Sequence, residues 1–344
     1  MGSLFSAHSA ADITDRLPSM GNTPETQSNS HRHYRQLYHE VKYISSGDNG
    51  ETFAAIKKTD ADKIAARHQH LKTEAYFDEL RYHLVAVKLC KDYFIENDLE
   101  QEIIFLTHSL KVRHPCFTSC LNVCLDDKQG IQWLALSFIS GGDLSDFVDD
   151  MPHALSLSFR WHVASQLCEA LLVLLYGVTT PSAQMPAMGW PLVAHGDIFL
   201  GNLLLRPNGS FGVFPDIVIA DFGRAAEYRE NDEEYLRAQV HDIHCIAMVL
   251  DNLKESSVRD GHYCDCGPCV DGEVIMEDCI RRLNTFGPLI DCADCIAVLK
   301  ELKAVADAQR VLHYCGMPTD ALAELHRCKI SNEELETAIE SVHV

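Results

Sequence analysis

The sequence predicts an α+β protein of two lobes, with a strand-rich first half and a mainly helical second half. Three observations carry that prediction. Short β-prone runs separated by turn residues recur between positions 38 and 138, and a long apolar helical period runs from Phe159 to Leu175. The chain has 344 residues, 47% hydrophobic and 23% charged, enough for one large domain or two lobes around a substantial core.

Taken in order, residues 1–35 are rich in Ser, Asn, Thr and Pro without sustained periodicity, which predicts a disordered tail before a fold that begins near Tyr38. Tyr38 to Ile44 and Thr52 to Ile56 read as strands joined by the glycine-bearing turn Ser45 to Gly50, a hairpin. Thr59 to Arg81 is highly charged and reads as a helical or loop-like insertion. His83 to Leu89 is a third strand, Leu99 to Leu110 has helical spacing, and Leu121 to Leu125 and Gln132 to Phe138 are two further strands. The first lobe, 38–139, is thus expected to be an antiparallel sheet plus one helix. Gly141-Gly142 marks the change to a second lobe, 143–344, helical apart from short strands near Leu203 and Val218.

Composition limits the function. With 29 Lys+Arg against 50 Asp+Glu the net charge is −21, which argues against a general binder of nucleic acid or anionic membrane, because both need clustered cations. The longest uncharged run, Leu171 to Ala194, is interrupted by Pro181, Pro186 and Pro191 and does not read as a bilayer span. Fourteen cysteines in a long chain without an apolar leader predict reduced thiols and a cytoplasmic location. Met1-Gly2-Ser3-Leu4-Phe5-Ser6 fits the pattern for acylation of Gly2, but one acyl chain with no polybasic run gives only marginal membrane binding.

The residues that carry chemistry are His195-Gly196-Asp197-Ile198-Phe199-Leu200-Gly201-Asn202, followed by Ala220-Asp221-Phe222-Gly223. An Asp and an Asn five apart, then an Asp after an apolar strand, suit phosphoryl transfer: one carboxylate orients a hydroxyl and two oxygen ligands hold Mg²⁺. Here the sequence resembles the protein kinase family. The resemblance implies Asp197 as catalytic base and Asn202 and Asp221 as ligands of Mg²⁺ bound with ATP. Val85-Ala86-Val87-Lys88 is similar to the strand whose lysine holds the nucleotide phosphates, with Glu102 as its partner. Ala54-Ala55-Ile56-Lys57 is a rival, set aside because it follows Gly50 too closely to leave room for the hairpin.

Gly47 and Gly50 match the last two glycines of a phosphate-cradling loop, with Ser45 in place of the first. The stretch Leu136 to Asp143 resembles the family's hinge, which implies Leu136 and Phe138 beside the base, Ala86 as roof of the adenine pocket, and Asp143 near the ribose; a simple turn explains Gly141-Gly142 equally well. Asp242 resembles the residue that braces the catalytic loop.

The pattern also departs from the family. Gly196 stands where an Arg is usual and Phe199 where a Lys is usual, which predicts no switching by activation-loop phosphorylation and a lowered rate. The segment from Asp221 to Asp242 is short and acidic, with Glu227, Glu230, Asp232, Glu233 and Glu234, so a bound protein substrate is expected to be basic; a solvated loop is the plainer reading. Cys264, Cys266 and Cys269 gather possible zinc ligands at tight spacing. The resulting expectation is an ATP-dependent kinase acting on protein Ser or Thr, with a pseudokinase that serves as an interaction or scaffold module and a small-molecule kinase of the same fold as alternatives.

Overall fold

Strands β1 (Tyr38–Gly47), β2 (Gly50–Lys57), β3 (Leu84–Leu89), β4 (Cys120–Asp126) and β5 (Ile131–Ser137) form one antiparallel sheet in the order β1-β2-β3-β5-β4. The computed structural model describes residues 24–47, 50–89, 98–110, 114–126, 131–177, 187–207, 214–228, 233–259, 267–287, 291–313, 321, 325 and 330–341. Gly2 and the remainder of the expected tail up to residue 23 lie outside these.

The period of two sorts the sheet into two faces. Val87 and Leu89 pack with Phe53, Ala55, Trp133 and Ala135 on one side. Helix α1 (Pro24–Leu37) is associated with that cluster, where its Tyr34 is fully buried and stacks on Tyr38 at 5.8 Å. Trp133 Nε1 donates to His33 Nδ1 at 3.1 Å. The expected disorder therefore does not extend to residue 35. The helix escaped the periodicity reading because Tyr34 and Leu37 are its only large apolar residues.

The first half also holds more than one helix. The charged insertion folds as α2 (Lys58–Arg67) and α3 (Glu74–Tyr82), which cover Ala54, Ile56 and Leu84 with Ala61, Ile64, Phe77 and Leu80. The same cluster takes in Ile330 and Leu335, because the last described helix, Asn332–Glu340, returns to pack on β1 and α3. Lys42 meets Glu334 at 3.0 Å, Lys72 meets Glu336 and Glu340, and Arg81 Nε donates to Ile330 O at 2.9 Å. A boundary that assigns everything after 143 to one helical lobe thus fails for this segment. The expected helix over 99–110 is α4 (Asp98–Ile104), which continues as a π-helical turn, Phe105–Ser109.

The rest of the chain is mostly helical: α5 (Leu144–Asp150), α6 (Leu157–Tyr176), α7 (Glu233–Arg259), α8 (Gly267–Asn284) and α9 (Cys292–Leu312). Helix α6 is buried nearly all round, so it is central; Phe159, Trp161, Val163, Leu167, Leu171 and Leu174 are wholly buried, each contributing roughly 1.5–3 kcal/mol by burial. Ser156 caps its start, accepting from Phe159 N at 3.2 Å, and it ends at Gly177, whose φ of +62° and closeness to the Trp190 ring admit no Cβ. Short strands β7 (Leu203–Arg206) and β8 (Asp216–Ile219) pair where expected. A second small pair, β6 (Leu192–Ala194) with β9 (Ala226–Tyr228), has only three residues per strand, too few for a readable alternation.

Two links join the sheet to this helical part. Thr118 N donates to Ile219 O at 3.1 Å and Ile219 N to Cys116 O at 2.8 Å; Gly141 N donates to Leu205 O at 3.0 Å and Leu205 N to Gly142 O at 2.9 Å. The described cysteines are all free thiols. No helix among the described residues is long and apolar enough to cross a membrane.

Candidate functional site

Lys88 sits near the end of the sheet's central strand, paired in register with Thr52 of β2 and Leu134 of β5. It shares a face with Ala86, which lies opposite Leu136. The rival Lys57 is exposed at the end of β2. The hairpin closes at Gly47 and Gly50, beyond Lys88 along the sheet; the tip residues Asp48 and Asn49 lie outside the described residues.

The Lys88 ammonium is the centre of a three-residue ion cluster. Its Nζ donates to Glu102 Oε2 at 2.8 Å and to Asp221 Oδ1 at 2.7 Å. Burial opposes the charge on Lys88, but Glu102 and Asp221 outweigh it and hold the ammonium above its ordinary range. Burial likewise works against Asp221, yet Lys88 keeps that carboxyl below its ordinary range. Glu102 is itself fully buried and accepts from Phe222 N at 3.3 Å, so α4 is tied both to β3 and to the segment after β8.

Asp221 adopts φ +59° and ψ 75°, a left-handed conformation uncommon for a residue with a side chain. The adjoining Phe222 fixes it. That ring is fully buried between Phe105 at 5.0 Å, Phe117 at 5.9 Å and His195 at 4.7 Å. Both Lys88 and Gly223 N contact Asp221 through Oδ1.

Asp197 is framed by its own loop. Asn202 Nδ2 donates to Asp197 O at 2.9 Å and to its Oδ2 at 3.2 Å, so the five-residue spacing closes a ring of contacts. Burial lowers the His195 pKa to about 4, leaving a neutral ring; Nε2 donates to Ala220 O at 3.1 Å and Nδ1 accepts from Asp197 N at 3.3 Å. Beneath the loop, Asp242 of α7 accepts from His195 N at 2.7 Å and Gly196 N at 2.9 Å, the bracing expected of it.

The hinge residues divide. Leu136 and Ala86 face the helical part together, whereas Phe138 lies past the end of β5 and packs against the cluster formed by α2 and α3. Asp143 caps α5, accepting from Asp146 N at 2.9 Å, so its carboxylate has a structural partner. A hydrogen-bonding Asp just before an apolar helix start is the local signal for this cap.

Of the acidic run, Glu227 accepts from Ser109 Oγ at 2.7 Å and Glu233 lies 3.7 Å from Arg237, while Glu230 and Asp232 lie outside the described residues. Cys264 and Cys266 also lie outside them, and Cys269 is buried in α8. One residue escaped the sequence reading: Arg224 Nη1 stands 3.4 Å from Asp197 Oδ1. Its position directly after Asp221-Phe222-Gly223 was its only signal.

Chemically, the arrangement offers a buried cation in Lys88, three carboxylates in Glu102, Asp197 and Asp221, and the amide of Asn202. Asn202 and Asp221 present oxygen donors of the kind a hard divalent cation takes, and Lys88 presents an ammonium suited to phosphate oxygens. No protein-family model matches the chain, and no curated protein matches it.

Proposed function

We propose that the chain is an ATP-dependent phosphotransferase with the two-lobed arrangement of a protein kinase, transferring the γ-phosphate of Mg-ATP to a Ser or Thr hydroxyl of a protein. The observation that carries this reading is the contact of Lys88 with both Glu102 and Asp221, residues 14 and 133 positions away in the chain. A cation held by two elements at the mouth of a glycine-closed hairpin is arranged to meet a triphosphate. Lys88 binds phosphate oxygens, Asn202 and Asp221 hold Mg²⁺, and Asp197 accepts a hydrogen bond from the acceptor hydroxyl and takes its proton. Mg²⁺ held by Asn202 and Asp221 would neutralise charge on the phosphates. Arg224 provides a cation beside Asp197, where Phe199 provides none.

The test is a radiolabelled ATP transfer assay on mixed protein substrates, with Asp197→Asn and Lys88→Met alongside, and thermal stabilisation by Mg-ATP measured on each. Asp197→Asn should lower transfer at least about a hundredfold while retaining the stabilisation, and Lys88→Met should lose the stabilisation. Equal transfer by the native chain and Asp197→Asn would refute the assignment. Stabilisation without transfer by the native chain would make it a nucleotide-binding module.

A further inference from the structure

Beside the 116–118 link, three side chains converge that the phosphotransfer reading does not use. A ring nitrogen of His114, the Cys116 sulfur and a Glu169 carboxylate oxygen all lie within 4.8 Å of one another. From their convergence we infer that His114, Cys116 and Glu169 form a zinc site with three protein ligands and a fourth position open to water.

The placement of Glu169 is the first support. Every other residue of the twenty in α6 is buried, and Glu169 alone opens to solvent, at the point where the helix passes Cys116 and His114. Its nearest cation is Lys303, at a long 3.5 Å. A partly exposed carboxylate on an otherwise buried helix thus meets a thiol and an imidazole, with Lys303 as its ion-pair partner.

Donor chemistry is the second support. One thiolate, one imidazole and one carboxylate is the mixed soft and hard set that Zn²⁺ accepts, and the two anionic ligands balance its charge. Tetrahedral zinc needs ligand atoms roughly 3.5 Å apart, so the observed spread of up to 4.8 Å closes by small side-chain rotations. His114 is placed for this: its ring packs on Phe117 at 5.6 Å, and the long hydrogen bond of 3.3 Å that its Nδ1 accepts from Cys116 N is the contact the metal would replace at that nitrogen. The thiol must release its proton to solvent as the metal binds; without metal, burial and then Glu169 push its pKa up to about 12.

The consequence is mechanical. Cys116 O and Thr118 N bracket Ile219, two residues before Asp221, so a metal spanning Cys116 and Glu169 pins α6 to the strand that delivers Asp221. This holds whether or not the chain transfers phosphate.

The experiment titrates zinc, and then Co²⁺ as a spectroscopic substitute, into chelator-treated full-length chain, with Cys116→Ser, Glu169→Gln and a Cys264→Ser/Cys266→Ser variant in parallel. The native chain and the Cys264/Cys266 variant should each bind one equivalent with a thiolate-to-cobalt charge-transfer band. Cys116→Ser should lose that band, and Glu169→Gln should keep it with affinity weakened at least about tenfold. Glu169 is partly exposed, so its replacement leaves the fold intact. Failure of the native chain to bind zinc at micromolar concentration, or persistence of the band in Cys116→Ser, overturns the site.

Discussion

Replacing Lys88 by Met should destabilise the fold itself, apart from any effect on nucleotide. Glu102 is 0% exposed and has Lys88 at 2.8 Å and Phe222 N at 3.3 Å as its donors. Removing the cation strands a buried carboxylate with one long hydrogen bond, a loss of about 3–5 kcal/mol. Glu102→Gln is milder: the amide oxygen still accepts, and Lys88 keeps Asp221 at 2.7 Å, so the expected cost is about 1 kcal/mol. In the double variant the fully buried charge is gone and only the partly exposed Asp221 has lost its ion partner, so its cost should fall short of the sum by about 2 kcal/mol. The Lys88→Met deficit should also grow as pH rises. Burial holds the Glu102 carboxyl above its ordinary range even beside Lys88, and without the cation its largest opposing influence is gone, so more stability rests on the protonated form and is lost as pH climbs through the raised value. Urea unfolding followed by the fluorescence of buried Trp133 and Trp161 measures all three variants. Additivity within about 0.5 kcal/mol would refute the pair.

Two further outcomes follow from packing and burial. A Cβ at Gly141 would stand 2.2 Å from Leu205 O, the acceptor of Gly141 N, so Gly141→Ala should cost about 2–3 kcal/mol by overpacking, whereas Gly287→Ala, with nothing within 4 Å, should be near neutral; equal melting temperatures for the two variants would contradict the contact. His162 is buried in α6, with Nε2 on Pro215 O at 2.9 Å, and burial lowers its pKa from 6.5 to about 4. The unfolded chain therefore binds its proton first, and the stability His162 contributes is present above pH 6.5 and lost as pH falls through 4, on the order of 3 kcal/mol in all. His162→Gln should flatten the acid limb of a stability-against-pH profile, and parallel profiles would show that the histidine does not carry it.

Local pattern was enough to find the elements that carry the site. Val85 to Leu89 is a short, mostly apolar run of the kind a central strand shows, and the Asp197 to Asn202 spacing matches the contact that Asn202 makes back to Asp197. What local pattern could not show was which surfaces meet. Pro24 to Leu37 is polar apart from Tyr34 and Leu37, yet Tyr34 places it in the cluster on one face of the sheet. Nothing near Leu335 announces that it belongs with Phe77, more than 250 residues earlier, because the alternation of a short helix records that one face is buried and not against what. Asp143 differs, since its capping role was available from its position before Leu144 and was obscured by the ribose expectation.

Gly196 and Arg224 are best understood together. Gly196 has φ +74°, a conformation that residues with side chains rarely adopt, and a Cβ there would approach Arg224 O to 3.1 Å. An arginine at 196 would be strained by its own backbone and crowded by the facing segment. That facing segment is held close by β6 and β9, whose pairing sets Ala194 opposite Ala226, so the residue after Gly223 must pass the loop at short range. The same closeness delivers the Arg224 guanidinium to Asp197 from the opposite side. The glycine at 196 and the placement of Arg224 thus share one physical cause, the tight β6–β9 clamp, and under the phosphotransfer reading proposed above the exposed Arg224 would set positive charge beside Asp197.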